Sequence, residues 1–449
     1  MQTVAAISTP NACGGIGVIR ISGDDAIAIA ERVFISARGK AVSEMSGYTC
    51  AYGMIHDTQG EPIDDVVLTV FRKPHSYTGE DVVEISCHGG IYICRKIMTL
   101  LFSVGASPAA AGEFTKRAFL SGKLDLSQAE AVMNAIMAEG EFALREANLA
   151  RDGHLSAQMR ECRGRLTAMI SAMSYWMDDP EETPPELESG HLSNEINEMI
   201  TVLGTLSSRY DQGRVYREGI RTALVGAPNA GKSSIMNWLA GMQRSIVTDI
   251  PGTTRDVITE SVRVGDFVLL LSDTAGLRQT GDVIEAMGVD AAFEQARQAD
   301  LILHIVDSTT TLRAEERQWI TDLRHPHIIT IYNKIDLCKD AVPELEPNAV
   351  VCSAKLQSGY DDIVRAIQDM FGMDHFANTP SLVSQRQKQL VDEAVNLLTQ
   401  AANDVLSGMP LDVICMQLEL AANTLAAFDG EIVTDDIIDG VFSKFCVGK

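Results

Sequence analysis

Residues 226–233 read Gly-Ala-Pro-Asn-Ala-Gly-Lys-Ser. Two glycines, a lysine and a hydroxyl residue at these spacings match the P-loop, whose backbone N–H groups surround phosphate oxygens. The apolar run Thr222–Val225 precedes the loop and a helical pattern follows it, which is the context that a P-loop requires. We therefore predict that Lys232 contacts phosphate through its charge and that Ser233 binds Mg²⁺ through its hydroxyl.

Two further motifs follow at the ends of apolar runs. Asp273-Thr274-Ala275-Gly276 follows Phe267–Leu271, so the Asp273 carboxylate is expected at a strand end, where it would support the metal through water. Asn333-Lys334-Ile335-Asp336 follows Ile328–Tyr332. The carboxylate of Asp336 matches the two N–H donors of guanine, whereas adenine would leave it unpaired. The sequence therefore predicts a preference for GTP over ATP.

Two shorter segments complete the nucleotide site. Ser353-Ala354-Lys355 follows the run Ala349–Cys352 and resembles the loop that supports the base in guanine-nucleotide-binding domains. Gly252-Thr253-Thr254-Arg255-Asp256 lies where a switch loop would bring the Thr254 hydroxyl to Mg²⁺. Each segment alone is compatible with an ordinary surface loop, but the ordered set is not. The predicted GTP contacts are Asn229, Ala230, Gly231, Lys232, Ser233, Ser234, Thr248, Thr253, Thr254, Asp273, Thr274, Ala275, Gly276, Asn333, Lys334, Asp336, Ser353, Ala354 and Lys355.

The composition limits the functional classes. With 449 residues, 46% of them hydrophobic, the chain is expected to form about three globular domains. Its formal net charge of −24 argues against broad contact with nucleic acid, so a partner would supply much of any RNA-binding surface; acidity that only confers solubility is an equal alternative. No apolar run is long enough for a membrane span and no basic leader is present, so we expect a cytoplasmic protein. The nine cysteines, without a C-x-x-C pair, are expected to be reduced thiols.

The apolar periodicity divides the chain into four parts. Residues 1–118 alternate strand-like and helical patterns, which predicts an α/β domain. Helical spacing dominates 119–216 and returns in 374–449, on either side of a nucleotide domain at 217–373. The predicted fold is therefore multidomain, α/β plus all-α, with a Ras-like P-loop GTPase domain inserted into a helical domain built from two chain segments.

Several segments outside the nucleotide domain carry a more specific pattern. They are Gly14–Gly23, Tyr77–Asp81, His88–Gly90, Gly112–Thr115, Arg117–Leu120 and the terminal Phe445–Lys449. Together they resemble the MnmE family, GTPases that modify the wobble uridine of certain tRNAs, over essentially the full length of the chain. The resemblance implies that the N-terminal α/β domain binds a tetrahydrofolate one-carbon donor, 5,10-methylene- or 5-formyl-tetrahydrofolate, and drives dimerisation.

The resemblance also implies a reaction and its partners. The family acts as a homodimer with an FAD-containing partner, MnmG, in a heterotetramer that installs an aminomethyl or carboxymethylaminomethyl group at uridine C5. FAD would enter only through this partner, and tRNA would be contacted largely through it. By residue matching, the folate contacts would be Arg20, Glu84, Lys123 and Lys449. Arginine and lysine suit the glutamyl carboxylates, and a carboxylate suits the amino edge of the pterin.

Hydrolysis requires a separate explanation because Leu277 stands where Ras-like proteins carry a water-orienting glutamine. The resemblance implies that G domains dimerise around K⁺, which occupies the place of an arginine finger. The implied K⁺ ligands are the side chain of Asn229 and the backbone of Thr248, Ile250 and Thr253. Glu285 matches the glutamate that orients the attacking water.

The remaining catalytic candidates also depend on the resemblance. Arg255 matches a position associated with switch function, and Cys446 lies in the terminal Cys-Val-Gly-Lys motif, where a nucleophilic or proton-transfer role and an inert buried thiol are both open. The predicted catalytic residues are Glu285, Lys232, Thr254, Arg255 and Cys446.

Two rival functions share parts of this pattern. A ribosome-assembly GTPase would have the same nucleotide motifs and the same departure at Leu277, but it would not explain the terminal motifs. Alternatively, the G domain is a nucleotide-regulated scaffold and a partner performs all of the chemistry. Neither alternative predicts folate binding, which therefore distinguishes them from the tRNA-modification hypothesis.

Overall fold

The computed structural model describes residues 2–138, 140–178, 189–242, 259–272, 296–310, 314–338, 348–371 and 381–448. The chain forms two compact units. Unit 1 contains residues 1–133, 150–204 and 383–449, and unit 2 contains 134–149 and 205–382. The domain boundaries at 118, 216 and 373 stay predictions, and one helix, Glu113–Leu120, continues across the first of them.

Unit 1 contains a seven-stranded sheet with the strand order β3-β4-β5-β6-β2-β1-β7. Its strands are β1 (Val4–Ile7), β2 (Ile16–Ser22), β3 (Phe34–Ser36), β4 (Thr49–His56), β5 (Pro62–Phe71), β6 (Val82–His88) and β7 (Ser107–Pro108). Neighbouring strands are antiparallel except β1 and β7. Ile19 and Ile21 are fully buried, and Arg20 between them belongs to the opposite face. On β2 this alternation places Ile19 and Ile21 on the core face and Arg20 on the opposite face, which also carries a small apolar cluster of Val4, Ala6 and Phe114.

The helices of the described residues span both units. They are α1 (Ala26–Val33), α2 (Ile91–Ser103), α3 (Glu113–Leu120), α4 (Leu126–Met137), α5 (Glu141–Arg151), α6 (His154–Asp178), α7 (Ser189–Arg217), α8 (Lys232–Met242), α9 (Ala314–Leu323), α10 (Tyr360–Phe371), α11 (Gln385–Leu406), α12 (Leu411–Asp429) and α13 (Asp435–Phe442). In unit 1, α1 and α2 contribute to the core on the face of the sheet that carries Ile19 and Ile21.

The helical part of unit 1 joins two distant segments of the chain. Helix α12 packs against α6 and α11. Glu130, which is buried, accepts hydrogen bonds from Arg386 and Gln387. Leu126 and Phe442 share a second apolar cluster. These contacts confirm the predicted helical domain built from two chain segments.

Unit 2 contains a six-stranded sheet with the order β13-β12-β11-β8-β10-β9. Its strands are β8 (Ile220–Val225), β9 (Thr259–Val264), β10 (Phe267–Ser272), β11 (Leu301–Asp307), β12 (Ile328–Asn333) and β13 (Ala349–Val351). Neighbouring strands are parallel except β9 and β10. Strand β8 lies between β10, which follows it in the chain, and β11, which comes later, so the order of the strands reverses at β8. Ligands of open α/β sheets bind beyond the carboxyl ends of strands at such a switch point.

Among the described residues, one helix, α12, is long and apolar enough to cross a membrane by length and composition alone. Its buried residues include Leu418, Ala421 and Leu425, and its neighbours are α6 and α11. This is the packing of a core helix in a helical domain.

Candidate nucleotide and folate sites

The P-loop, residues 226–233, connects the end of β8 to the start of α8. Gly226 and Gly231 have φ angles of 144° and 99°, which favour glycine. A Cβ atom at Gly226 would collide with the carbonyl oxygen of Ile305, and one at Gly231 would collide with the side-chain amide of Asn333. The two glycines therefore allow the loop to lie tightly against the ends of β11 and β12, and the N-terminus of α8 that follows would favour an anion.

Lys232 lies over this loop. Its Nζ donates hydrogen bonds to the carbonyl oxygens of Gly226 at 2.7 Å and Ala227 at 3.0 Å. The ammonium group is thereby held at the loop, where it would meet phosphate oxygens. Ser233 and Ser234 follow at the exposed start of α8. The hydroxyl of Ser233 is accessible to a metal, as the predicted Mg²⁺ site requires.

Asn333 connects the two halves of the predicted nucleotide site. It is 2% exposed, and its Nδ2 donates a hydrogen bond to the carbonyl oxygen of Ala230 at 3.1 Å. Its Oδ1 accepts a hydrogen bond from the backbone N–H of Ala354 at 3.1 Å. One amide side chain thus fixes the P-loop relative to the Ser353-Ala354-Lys355 loop. Asn333 was predicted as a nucleotide contact, and here it links the two loops.

Lys334 adds a second link. It has a φ of 65°, and its Nζ donates to the backbone oxygen of Asn229 at 2.8 Å and to Asp307 Oδ2 at 2.6 Å. Burial opposes ionisation of Asp307, but hydrogen bonds from Lys334 and Thr309 outweigh it and hold the pKa of Asp307 below its ordinary value. Sequence reasoning missed Asp307. The signal was its position after the apolar run Leu301–Val306, which is also how Asp273 was found.

Asp336 lies at the base end of the same edge. Its side chain is exposed, and its Oδ1 accepts a hydrogen bond from Ser353 Oγ at 2.6 Å. Ser353 is 1% exposed and also accepts a hydrogen bond from the backbone N–H of Leu356 at 3.1 Å. The buried serine therefore fixes the carboxylate that is predicted to accept hydrogen bonds from guanine, and Lys355 is exposed.

Several predicted site residues lie outside the described residues. They are Thr248, Ile250, Thr253, Thr254, Arg255, Asp273, Thr274, Ala275, Gly276, Glu285 and Lys449. The assignments of these residues to Mg²⁺, K⁺, water activation and folate stay predictions. The described part of the site contains the P-loop and the base-side residues.

The predicted folate residues in unit 1 begin with a cross-strand pair. Arg20 on β2 is the register partner of Glu84 on β6, and its Nε donates a hydrogen bond to Glu84 Oε1 at 2.8 Å. The guanidinium carbon lies 5.7 Å from the ring centre of Tyr77 and 5.4 Å from that of Phe114. Burial raises the pKa of Tyr77, whose hydroxyl lies 3.0 Å from Thr115 Oγ1. A paired cation and anion thus share a site with two aromatic rings.

Arg117 fixes the segments that carry those rings. It is 5% exposed and forms ion pairs with Glu80 at 2.9 Å and with Glu113 at 3.0 Å. It also donates a hydrogen bond to the backbone oxygen of Gln2 at 2.9 Å. These bonds connect the Tyr77–Asp81 motif to helix α3. Sequence analysis quoted both motifs without a role for Arg117.

The other two described candidates lie at the edges of this region. Lys123 is exposed and its side chain lies beside Gly79. The terminal segment docks on unit 1 through a bridge between Ala111 and Val447 and through a hydrogen bond from Ser8 Oγ to the oxygen of Gly448 at 3.0 Å. Cys446 is exposed, so the alternative of a buried thiol is wrong, and its chemical role stays a prediction.

A P-loop between a central strand and a helix, which Asn333 joins to the loop that holds a base-side aspartate, defines the class of P-loop GTPases. Two family sequence profiles match the chain: the MnmE helical domain over residues 126–446, and the N-terminus of the GTP-binding protein TrmE over residues 3–123. The tRNA modification GTPase MnmE of Clostridioides difficile (strain 630) is 38% identical over 456 residues, covering 100% of this chain and 99% of that protein. The chain belongs to the MnmE family of tRNA modification GTPases.

Other similar proteins include the tRNA modification GTPase MnmE of Acetivibrio thermocellus, which is 37% identical over 458 residues, with 100% of this chain and 99% of that protein covered. Among solved structures, the G domain of the T. maritima FeoB iron transporter is 21% identical, with a TM-score of 0.26. That similarity covers 34% of this chain and 98% of the FeoB domain.

Proposed function

We propose that this chain is a K⁺-stimulated GTPase that acts in the cytoplasm as a homodimer, together with an FAD-containing MnmG protein in a heterotetramer. It adds an aminomethyl or carboxymethylaminomethyl group to C5 of the wobble uridine of certain tRNAs, using a tetrahydrofolate one-carbon donor. The observation that carries this proposal is the meeting of the P-loop, Asn333 and Asp336 at one sheet edge in a chain similar along its full length to tRNA modification GTPases.

The nucleotide part of the proposal is supported by named contacts. Lys232 lies over the P-loop and supplies positive charge to the phosphates, and Ser233 offers a hydroxyl to Mg²⁺. Asp336 selects guanine because its carboxylate accepts hydrogen bonds from both N–H donors of that base. Asn333 and Lys334 keep these parts in register by binding the P-loop backbone.

K⁺ activation and G-domain dimerisation rest on the family resemblance and on one described residue. Asn229 is exposed, has a φ of 64°, and its backbone oxygen is held by Lys334. A fixed backbone with an exposed amide side chain fits an oxygen ligand for a monovalent cation. The cation would supply to the transition state the positive charge that an arginine finger supplies elsewhere, whereas the water-orienting role of the missing glutamine is assigned to Glu285.

Folate binding is supported by the chemistry of the face of the unit 1 sheet that carries Arg20 and Glu84. Arg20 suits the glutamyl carboxylate, and Glu84 suits the amino edge of a pterin. The ring of Tyr77 is partly exposed beside the Arg20 guanidinium and would offer apolar surface to an aromatic ligand, while the fully buried Phe114 ring supports the guanidinium from inside the protein. The docked end of the chain places Gly448, next to Lys449, at Ser8 of the same unit.

The experiment is GTP hydrolysis by purified protein in KCl and in NaCl at matched ionic strength, with calorimetric titration of 5-formyltetrahydrofolate into the same preparation. We expect turnover to fall strongly in NaCl and folate to bind with one site per chain. A Lys232→Ala variant is the control, because it should lose hydrolysis while retaining folate binding.

Each contrary outcome is distinct. Equal turnover in the two salts would contradict the K⁺ mechanism. Hydrolysis without folate binding, whether or not it depends on K⁺, would contradict the proposed modification chemistry and favour a ribosome-assembly GTPase. Undiminished hydrolysis by Lys232→Ala would contradict the P-loop assignment.

A further inference from the structure

Unit 1 contains a cavity that lies outside both sites described above. It has a volume of about 640 Å³, within the range of small-molecule sites. It is bordered by the turn between α3 and α4, by the turn between α5 and α6, and by the end of α12. We call it the Asp429 cavity after the buried carboxylate in its wall.

Asp429 is an unfavourable place for an uncompensated charge. Its side chain is 3% exposed, and its Oδ1 has no hydrogen-bond partner among the described residues. It is the last residue of α12, where the helix dipole repels an anion. Burial, together with the negative charge of Glu431, raises the pKa of Asp429. A buried carboxylate with one unpartnered oxygen at such a position would be stabilised by a cation.

The protein's own cations compensate this group poorly. Arg160 Nη1 lies 3.5 Å from Asp429 Oδ2 and 3.8 Å from Asp125 Oδ2, longer than the usual ion-pair hydrogen bond of about 2.8 Å. Arg163 lies nearby but pairs with Glu431 at 2.6 Å. The arginines therefore leave Asp429 without a close ionic partner.

The wall of the cavity is negatively charged as a whole. Its carboxylates are those of Asp125, Asp152, Asp429 and Glu431, opposed by the single arginine Arg160. Asp125 also caps helix α4 by accepting a hydrogen bond from the backbone N–H of Gln128 at 2.8 Å. A cationic ligand is favoured over a neutral or anionic one by this distribution.

The spacing of the carboxylates excludes a compact metal centre. Among the described residues, Asp64, Asp65 and His88 form a set of three side chains whose metal-ligating atoms all lie within 4.8 Å of one another. The described residues that line the cavity contain no set of three ligands as close as this. Its carboxylates are therefore spread around the wall. Phe119, Leu124 and Ala157 add apolar surface between them, which suits methylene groups and, at Phe119, a cation–π contact.

We propose that the Asp429 cavity binds an aliphatic polyamine, with one ammonium group paired with the Asp429 carboxylate and a second near the carboxylates at the rim. The aliphatic linker lies against Phe119 and Leu124. An extended polycation compensates the buried carboxylate and the dispersed charges together, which a single small ion cannot do.

The test is a calorimetric titration of the full chain with spermidine in about 0.15 M NaCl without Mg²⁺, where salt screens diffuse attraction to the acidic surface. The matched control is Asp436→Asn, which removes the same charge from an exposed position on α13 that does not line the cavity. We expect one site per chain, affinity weakened at least tenfold by Asp429→Asn, and affinity unchanged by Asp436→Asn.

Thermal unfolding gives an independent readout. Spermidine should raise the Tm of the parent and of Asp436→Asn, but not that of Asp429→Asn. If Asp429→Asn does not fold, Asp152→Asn, an exposed residue of the cavity wall, replaces it and should weaken binding at least threefold.

Three results would overturn the proposal. Equal weakening by the cavity variants and by Asp436→Asn would show attraction to the general acidic surface. Absence of saturable binding at millimolar spermidine would show that the cavity takes no polyamine. Displacement of spermidine by an equal concentration of Mg²⁺ would show that a metal ion is the preferred occupant.

Discussion

Replacement of Asn333 by alanine should weaken nucleotide binding, although the side-chain amide that is removed makes its hydrogen bonds to the protein backbone. The substitution removes the hydrogen bonds to Ala230 O and from Ala354 N, both 3.1 Å long. At about 1 kcal/mol for each bond, and up to about 2 kcal/mol where the remaining group stays buried without a partner, the aligned loops lose about 2–4 kcal/mol. If nucleotide requires the aligned loops, this loss corresponds to about 30- to 700-fold in Kd.

The assay is a calorimetric titration of GDP at fixed Mg²⁺ and K⁺ concentrations. Asn237→Ala is the matched control, because it makes the same substitution on the exposed side of α8 and should change the free energy by less than about 0.5 kcal/mol. Thermal unfolding of both variants shows whether Asn333→Ala is folded at the temperature of the titration. GDP binding by a folded Asn333→Ala variant within threefold of the parent would refute the argument that this side chain aligns the site.

Three further predictions follow from single side chains. Asp336→Asn should lower GTP affinity about 100-fold, because two hydrogen bonds to a charged group are lost, and should raise affinity for XTP; unchanged selectivity in competition binding would contradict the assignment. Burial raises the pKa of Glu146 from 4.5 to about 7, so the folded state binds the proton more tightly than the unfolded chain does. The free energy of unfolding should therefore fall, by at most about 3 kcal/mol, as the pH rises between these two pKa values. Urea titrations at about pH 5 and pH 8 should show this fall in the parent and its loss in Glu146→Gln; an equal fall in both would assign the effect to other groups. Arg20→Gln should weaken 5-formyltetrahydrofolate binding at least about tenfold by removing the ionic partner of a carboxylate, with GDP affinity unchanged; equal folate affinity in calorimetry would exclude Arg20 from the site.

Four strands of unit 2 could be predicted because each is an apolar run that ends at a motif. The predicted runs at 222–225, 267–271, 328–332 and 349–352 correspond to β8, β10, β12 and β13, with differences of one or two residues at the ends. Buried parallel strands have this continuous apolar pattern since both faces are covered. The motifs then mark the carboxyl edge where ligands bind.

Other strands lacked either a continuous apolar run or a recognised motif at their end. β9 reads Thr-Glu-Ser-Val-Arg-Val and lies at the sheet edge, where charged residues break the apolar run. β11 is apolar and buried but ends in no recognised motif, so its terminal Asp307 was overlooked. In unit 1, β4 carries exposed residues such as Tyr52 and gives only a weak alternation.

The geometry of the sites depends on contacts between distant parts of the chain. Asn333 binds the P-loop across a separation of 103 residues, and Lys334 binds Asn229 across 105. Local spacing gives no information about such pairs, since they form only when parallel strands bring their carboxyl ends together. The same reason explains why Arg117 and Asp429 had no role before the fold was known.

Reconstitution of tRNA modification would test the proposed function of the whole chain. Undermodified tRNA is incubated with this chain, the FAD-containing partner, 5,10-methylene-tetrahydrofolate, an amino donor, GTP and K⁺, and the nucleosides are then analysed by mass spectrometry. We predict a C5-aminomethyl or carboxymethylaminomethyl uridine that disappears when GTP is omitted, when K⁺ is replaced by Na⁺, or when the chain carries Lys232→Ala. The account would be contradicted if the partner alone formed the same nucleoside, or if its yield were the same with Lys232→Ala as with the parent chain.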